Sequence, residues 1–308
     1  MISKFLFRFG GYGPKSTSFS MALKFIGDHL IEQFGKDVDV KYIWNVMDLG
    51  YRGEDILWLV EHGILTLAYQ STSYLTDRVP ELSFVDLPFL FRDNQEARDS
   101  MDGALGKYLS SKIEDTINYR VLGYLENGFR HISNKLRPIR DPKDLKGLKI
   151  RVLPSETQSN TFRLLGADPR PMDLTEAIEA INKGTIDAQE NPFANTTTYN
   201  IHKFHNYHTM TKHFYISRGI FANRSAYYSW PREIRDFMQY VVRKAITFHR
   251  NLAEKEHRSA RKLIEAENCE IIELTEKERI NFYNVVQSQH KIAKDRFGAE
   301  MLNLIGKN

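Results

Sequence analysis

The chain of 308 residues contains a single cysteine, Cys269, so an internal disulfide is excluded. No further Cys or His stands beside it at zinc-site spacing, and it is expected to pack as a small apolar side chain. Long apolar runs are missing too. No stretch approaches the roughly 20 residues needed to cross a bilayer, so the chain is not expected to be membrane-embedded. Lys and Arg number 43 against 39 acids, and the excess of four is spread along helices, which argues against a nucleic-acid partner. Met1-Ile2-Ser3-Lys4 has neither a charged n-region nor an apolar h-region, so any export signal is expected to have been removed or never to have existed.

Catalytic signatures are absent as well. There is no G-x-S-x-G elbow, no H-E-x-x-H, and no nucleophile set beside a base and an orienting group, which points to a binding protein and not an enzyme. Glu126 and Glu190 read as isolated acids at strand ends. Gly10, Gly11 and Gly13 sit between a strand and a helix, yet their spacing fits no phosphate loop, and they are expected to let a ligand approach the backbone. His202, His205 and His208 recur every three residues without an acid or Cys to complete a metal set. They are expected to be solvated loop histidines, and no metal or cofactor is expected.

At this length one hydrophobic core is strained, and a 42% hydrophobic content can fill two, so two lobes are expected. Phe5, Phe7 and Phe9 alternate as a first strand. Phe19, Leu23, Ile26, Leu30 and Phe34 then step along one helix face to Gly35. Strands over Val38–Trp44 and Ile64–Tyr69 flank a helix near Ile56–Val60, giving β-α-β-α-β and hence a parallel sheet. Asn94 is expected to cap one long helix through Leu109, followed by a strand at Val121–Leu125. A second β-α-β set begins with Ile150–Leu153, a helix over Glu156–Leu165 and an extended Pro169–Met172. Asp173 with Glu176 resembles a capping box. From Ser229 and Pro231 the apolar spacing runs to about Asn268; at 1.5 Å per residue, such a helix of roughly 35 residues spans about 50 Å and should serve both lobes. Arg250, Lys255, Arg258, Arg261 and Lys262, interleaved with Glu254, Glu256 and Glu265, read as its water-facing side. Thr275 and Glu278 open a last helix. The fold class is α/β, with lobe I at 1–127 plus 217–255 and lobe II at 128–216 plus 256–308.

Two arginines, Arg130 and Arg151, fall at strand ends, followed by Asp187-Ala188-Gln189-Glu190-Asn191-Pro192. In an open α/β sheet such ends face a crevice. A guanidinium offers a flat fork of donors that matches a carboxylate, so the constellation reads as a site for a small organic acid.

Four segments carry a resemblance through nearly the whole chain: Gly128-Phe129-Arg130-His131, Asp144-Leu145-Lys146-Gly147-Leu148-Lys149-Ile150-Arg151-Val152, Leu165-Gly166-Ala167-Asp168-Pro169-Arg170-Pro171-Met172, and Asp187 to Pro192. The chain resembles the solute-binding proteins of tripartite ATP-independent periplasmic (TRAP) transporters, the DctP-type receptors. The resemblance implies a periplasmic binding protein-like fold of two α/β lobes, with a ligand cleft between them and a long helix bridging both. It implies a monomer in the periplasm that carries a small carboxylate to TRAP membrane permease subunits, driven by a sodium gradient. It further implies that Arg151 pairs with the ligand carboxylate, that Arg130 lies against the same group, and that Asn191 donates a hydrogen bond. By position Tyr12, Tyr69, Gln70 and Ser71 from the first lobe, and Leu174, Phe193, His213 and Tyr215 from the second, join the ligand set. Because that set is aromatic and lacks acids, it leans toward an apolar or aromatic monocarboxylate, while its tyrosines and histidine can hydrogen-bond hydroxyls and leave a sugar acid open. A module with the same cleft chemistry that feeds a sensor without transport is the alternative.

Overall fold

A computed structural model of the chain describes residues 5–306; the reading of Met1-Ile2-Ser3-Lys4 lies outside the described residues. The chain forms two compact units. Unit 1 takes the chain up to Ser71, Gly106–Glu126 and Ser217–Glu254, and unit 2 takes Thr72–Leu105, Asn127–Ile216 and the chain from Lys255.

The five-stranded sheet runs β2-β1-β3-β10-β4, where β1 is Phe5–Gly10, β2 Val38–Ile43, β3 Leu67–Ser71, β4 Tyr119–Phe129 and β10 Tyr215–Asn223. β1 pairs in parallel with β2 and β3, as the βαβ pattern requires, with α1 (Ser18–Phe34) and α2 (Asp55–Glu61) as the connections. β10 pairs antiparallel to β3, so the sheet is mixed and not parallel throughout. In β1 every second side chain, Phe7 and Phe9, is fully buried; on α1 the same holds for Ala22, Ile26 and Leu30. Each of the large side chains among them contributes about 1.5–3 kcal/mol by leaving water. α4 (Ala104–Thr116) adds Leu105, Leu109 and Ile113, and α8 (Arg224–Ser229) adds Tyr227. The long helix α9 runs Arg232–Ala266, 35 residues, and, like β4 and β10, it contributes residues to both units. A Cβ on Gly123 of β4 would meet Ile246 of α9 at 2.6 Å, and its φ of 156° is one that glycine tolerates, so this residue sets how closely helix and sheet approach.

The six-stranded sheet lies within unit 2 in the order β11-β9-β5-β8-β6-β7. Its strands are β5 His131–Asn134, β6 Lys149–Val152, β7 Asp168–Pro171, β8 Ala188–Asn191, β9 Tyr207–Met210 and β11 Glu270–Glu273. β6 is parallel to β7 and β8, whereas β5 is antiparallel to β8 and β9. α5 (Glu156–Leu164), α6 (Leu174–Asn182) and α7 (Phe193–Thr198) follow β6, β7 and β8. Ile132, Ile150, Val152 and Ala188 point into one core with Phe162, Phe214 and Val286. α10 (Glu276–Val286) opens on a capping box in which Thr275 and Glu278 satisfy each other's backbone N–H, and α11 (Ser288–Asn303) follows it.

Several expectations from sequence change here. The helix expected from Asn94 is two, α3 (Asn94–Asp102) capped by Asp93, and α4, broken at Gly103. Asp173 caps α6 by accepting from Thr175 N. Residues 72–105 pack in unit 2 although sequence order places them with lobe I: His290 of α11 bonds Pro88 O at 2.6 Å, and Phe84 meets Phe297 edge-on. His202, His205 and His208 are buried, not solvated. His205 Nδ1 meets Ser133 Oγ at 2.9 Å and His208 Nε2 donates to His205 O at 2.8 Å. Burial pushes His205 down to about 3 and His208 down to about 4, so both are neutral at pH 7.

Candidate functional site

β6 sends Ile150 and Val152 to the core, so its alternation turns Arg151 to the opposite face. There Arg151 stands in register with Gln189 of β8, and Asn191, two residues on, shares that face. Only 1% of Arg151 is exposed. Its Nε and Nη2 donate to Met172 O at 3.1 and 2.9 Å, and Nη2 reaches Tyr74 Oη at 3.4 Å. Among the described residues no carboxylate pairs with it. A buried cation held by one carbonyl and one hydroxyl has kept its desolvation cost without a counter-charge, which is what an arriving anion would supply. Beside it, Asn191 Nδ2 donates to Gln189 Oε1 at 3.0 Å and Asn191 Oδ1 accepts from Asn195 at 3.2 Å. Nδ2 keeps a second N–H for a guest.

Arg130 has a different setting. Its Nε and Nη2 grip both carboxylate oxygens of Glu190, with Nη2 at 2.7 Å from Oε1 and 2.6 Å from Glu190 O. Glu190 lies on the core side of β8, between Gln189 and Asn191. Burial pushes its carboxyl up, but the Arg130 guanidinium and His213, 3.5 Å away, outweigh this and hold it below the ordinary range. Burial drives the His213 imidazole down, and its Nδ1 meets Thr211 Oγ1 at 2.6 Å. Arg130 also acts on Asp86, fully buried and bonded by Ser73 Oγ at 2.7 Å; burial raises Asp86 to about 6 against the opposing hydroxyls and Gln158.

The remaining residues of the ligand set distribute as follows. Tyr12, Tyr69 and Ser71 come together in unit 1: Tyr12 and Tyr69 rings lie 5.2 Å apart, and Tyr69 stacks on Phe19 at 5.1 Å. Gln70 faces the other way, its amide bonded to Gly53 O and Ser71 N at 2.7 Å each. Gly11 is crowded by the chain itself, since a Cβ there would meet Trp44 O at 2.7 Å and the Tyr69 ring at 3.0 Å. Phe193 stacks on His257 at 5.5 Å and packs on Ala260 and Ile264. Tyr215 meets Phe91 and Phe129 edge-on, and Leu174 is the buried first residue of α6. A cavity of about 690 Å³ in unit 2, lined among others by Thr76, Glu156, Arg163 and Phe297, does not include Arg151.

Sequence reasoning missed Gln189 and Tyr74, which stand beside Arg151. Strand parity within Asp187 to Asn191 would have found Gln189. Tyr74 sits in a 3-10 turn and leaves no periodic signal.

The DctP family model, bacterial extracellular solute-binding protein family 7, matches residues 14–295. The chain is similar to a solute-binding protein of Verminephrobacter eiseniae, 32% identical over 65% of this chain and 62% of that one. It is also similar to the 2,3-diketo-L-gulonate-binding periplasmic protein YiaO of Escherichia coli, 26% identical over 97% and 90%. Among solved structures, the sugar acid binding protein DctPAm of Advenella mimigardefordensis, in complex with galactonate, superposes with a TM-score of 0.93 at 25% identity, covering 99% and 97% of the two chains.

Proposed function

Because the chain belongs to family 7 of the bacterial extracellular solute-binding proteins, we propose that it receives a small organic acid at Arg151 in the periplasm and delivers it to TRAP membrane permease subunits. It is a TRAP-type solute receptor of α/β, periplasmic binding protein-like fold, and its family serves transport and not catalysis. One observation carries the site: Arg151 is buried without a carboxylate partner among the described residues, beside an asparagine with a donor to spare. In this reading Arg151 takes the carboxylate in a bidentate pair and Asn191 donates alongside. Arg130, closed onto Glu190, acts by fixing β8 and hence the aim of Gln189 and Asn191. The relatives' ligands, diketogulonate and galactonate, are hydroxylated or oxidised carboxylates, which favours polar acids over an apolar or aromatic guest.

A thermal-shift screen of sugar acids, dicarboxylates and aromatic monocarboxylates tests this. A ligand at 100 times its dissociation constant stabilises by about 2.7 kcal/mol, which is readily measured. A polar carboxylate is expected to raise the melting temperature, with the shift lost in Arg151→Ala. Absence of a shift with every acid, or an equal shift in that variant, would overturn the assignment. Uptake of the same acid by vesicles carrying the permease subunits, dependent on added receptor, tests delivery.

A further inference from the structure

Unit 2 holds a buried carboxyl that the pairing of Arg130 with Glu190 leaves over. Asp86 is fully buried, and its Oδ1 accepts from Ser73 Oγ at 2.7 Å. Ser73 Oγ in turn accepts from Gln158 Nε2 of α5 at 3.1 Å. Beside them three buried oxygens, Asp86 Oδ2, Gln158 Oε1 and Ser155 Oγ, have no hydrogen-bond partner among the described residues. Ser155 is the N-cap of α5, yet its side chain makes no capping bond. Both Ser155 and Gln158 stand close enough to Asp86 to draw its carboxyl down against burial. The donors fall one short: an ionised Asp86 Oδ2 and Gln158 Oε1 only accept, and the Ser155 hydroxyl carries a single proton. Among the charged and titratable neighbours, Arg130 favours the ionised carboxyl but is closed on Glu190, which has His213 3.5 Å away. His290 of α11 bonds Pro88 O, and Glu156 of α5 faces water. Ser73 lies in the 3-10 turn Thr72–Leu75, where the next residue, Tyr74, brings its Oη to 3.4 Å from Arg151 Nη2. All of these residues belong to unit 2.

We propose that Asp86 is a positioning residue for the carboxylate site, and that its proton regulates binding there by fixing the Thr72–Leu75 turn, and with it Tyr74, against Arg151. The inference rests on the reading of Arg151 as the carboxylate's partner and adds a regulation of that site. Protonated at Oδ2, Asp86 donates to Gln158 Oε1 and accepts from Ser155, while Oδ1 keeps the Ser73 hydroxyl. Every oxygen of the cluster then has a partner, and segment 72–105 is fastened to α5. Ionised, Asp86 is a buried charge whose neighbouring guanidinium is already saturated, and the cost falls on the turn that carries Ser73. Tyr74 then no longer holds the fork of Arg151 in one aim. Burial raises Asp86 to about 6, so the proton is held at pH 5 and lost by pH 7.5.

Calorimetry with aldonic acids of four to six carbons, which stay ionised from pH 5 to 7.5, is paired with hydrogen exchange of the unliganded turn as the test. In the wild type, the protection of Thr72–Leu75 and the affinity for the acid that binds are both expected to be about threefold to tenfold higher at pH 5 than at pH 7.5, the span of one net hydrogen bond. Asp86→Asn, whose amide donates at every pH, is expected to keep the pH 5 values at both. Should it not fold by circular dichroism, Gln158→Met replaces it: the acceptor for that proton is gone, and both profiles are expected to be flat. Tyr74→Phe is expected to retain the turn's pH profile and to lose that of affinity. Protection that is equal at the two pH values in the wild type overturns the inference, as does a slope that persists in the folded variant or a turn that responds while affinity does not. Affinity unchanged by Arg151→Ala overturns the reading of Arg151, while the pH profiles still decide the role of Asp86. Failure of every aldonic acid to bind also counts against Arg151, and protection of the turn then decides whether Asp86 is its latch.

Discussion

Arg130 and Glu190 close on each other with both side chains within 2% of full burial, whereas Arg151, in the same unit, has no acid among the described residues. The two arginines thus have different jobs. A guanidinium saturated by its own carboxylate holds structure, whereas for the one that is buried and unbalanced an anion is the proposed partner.

The Arg130–Glu190 pair should be costly to break from one side. Arg130→Ala or Glu190→Gln leaves a buried charge without its counterpart, and a loss of about 3–5 kcal/mol is expected from urea unfolding. Replacing both with apolar residues should recover most of that loss. Single variants that lose less than about 1 kcal/mol would show that water relaxes the pair.

Arg151→Met should behave in the opposite way. Removing an uncompensated charge is expected to leave the empty protein as stable as wild type or more so, while the melting shift given by a bound acid disappears. An empty Arg151→Met protein that melts well below wild type would mean that the guanidinium is structural.

Asp86 gives stability a particular pH dependence. Its carboxyl is raised to about 6 when folded, so the protonated form is favoured, and its contribution is full below about 4 and lost as pH rises through 6. A carboxyl held that far above its ordinary value corresponds to about 3 kcal/mol. Asp86→Asn should therefore stabilise the protein at pH 7 more than at pH 4. Urea midpoints at the two values check this; an equal change at both refutes it.

The buried histidines act with the reverse sign. His249, whose Nε2 donates to Glu126 O at 2.8 Å, is lowered by burial to about 4, as is His208. Their neutral forms contribute stability above about 6.5 that is lost as pH falls toward 4, about 3 kcal/mol for an imidazole lowered this far. His249→Gln should flatten that acid slope between pH 6.5 and 4. A slope identical to wild type in the variant would place the proton uptake elsewhere.

Much of this was legible in the residues. The alternation of Phe5, Phe7 and Phe9, the three-four stepping of α1, the capping box at Thr275 and the unbroken apolar spacing of α9 each reflect a local period, and local periods survive folding. The DctP-type segments pointed to Arg151 and Asn191, which the structure sets on one face of neighbouring strands. By contrast β9 and β11, four residues each, and β10, buried on both faces, carry too little period to be seen.

The βαβ order, the long helix, the family and the positions of the strand-end arginines follow from residue order alone, because each depends on residues near in the chain or on whole-segment identity. Which arginine is paired emerges only once the chain is folded. Glu190 is 60 residues from Arg130. Whether a buried charge is balanced depends on which distant side chains the sheets bring within a few ångströms, and no local pattern encodes that distance.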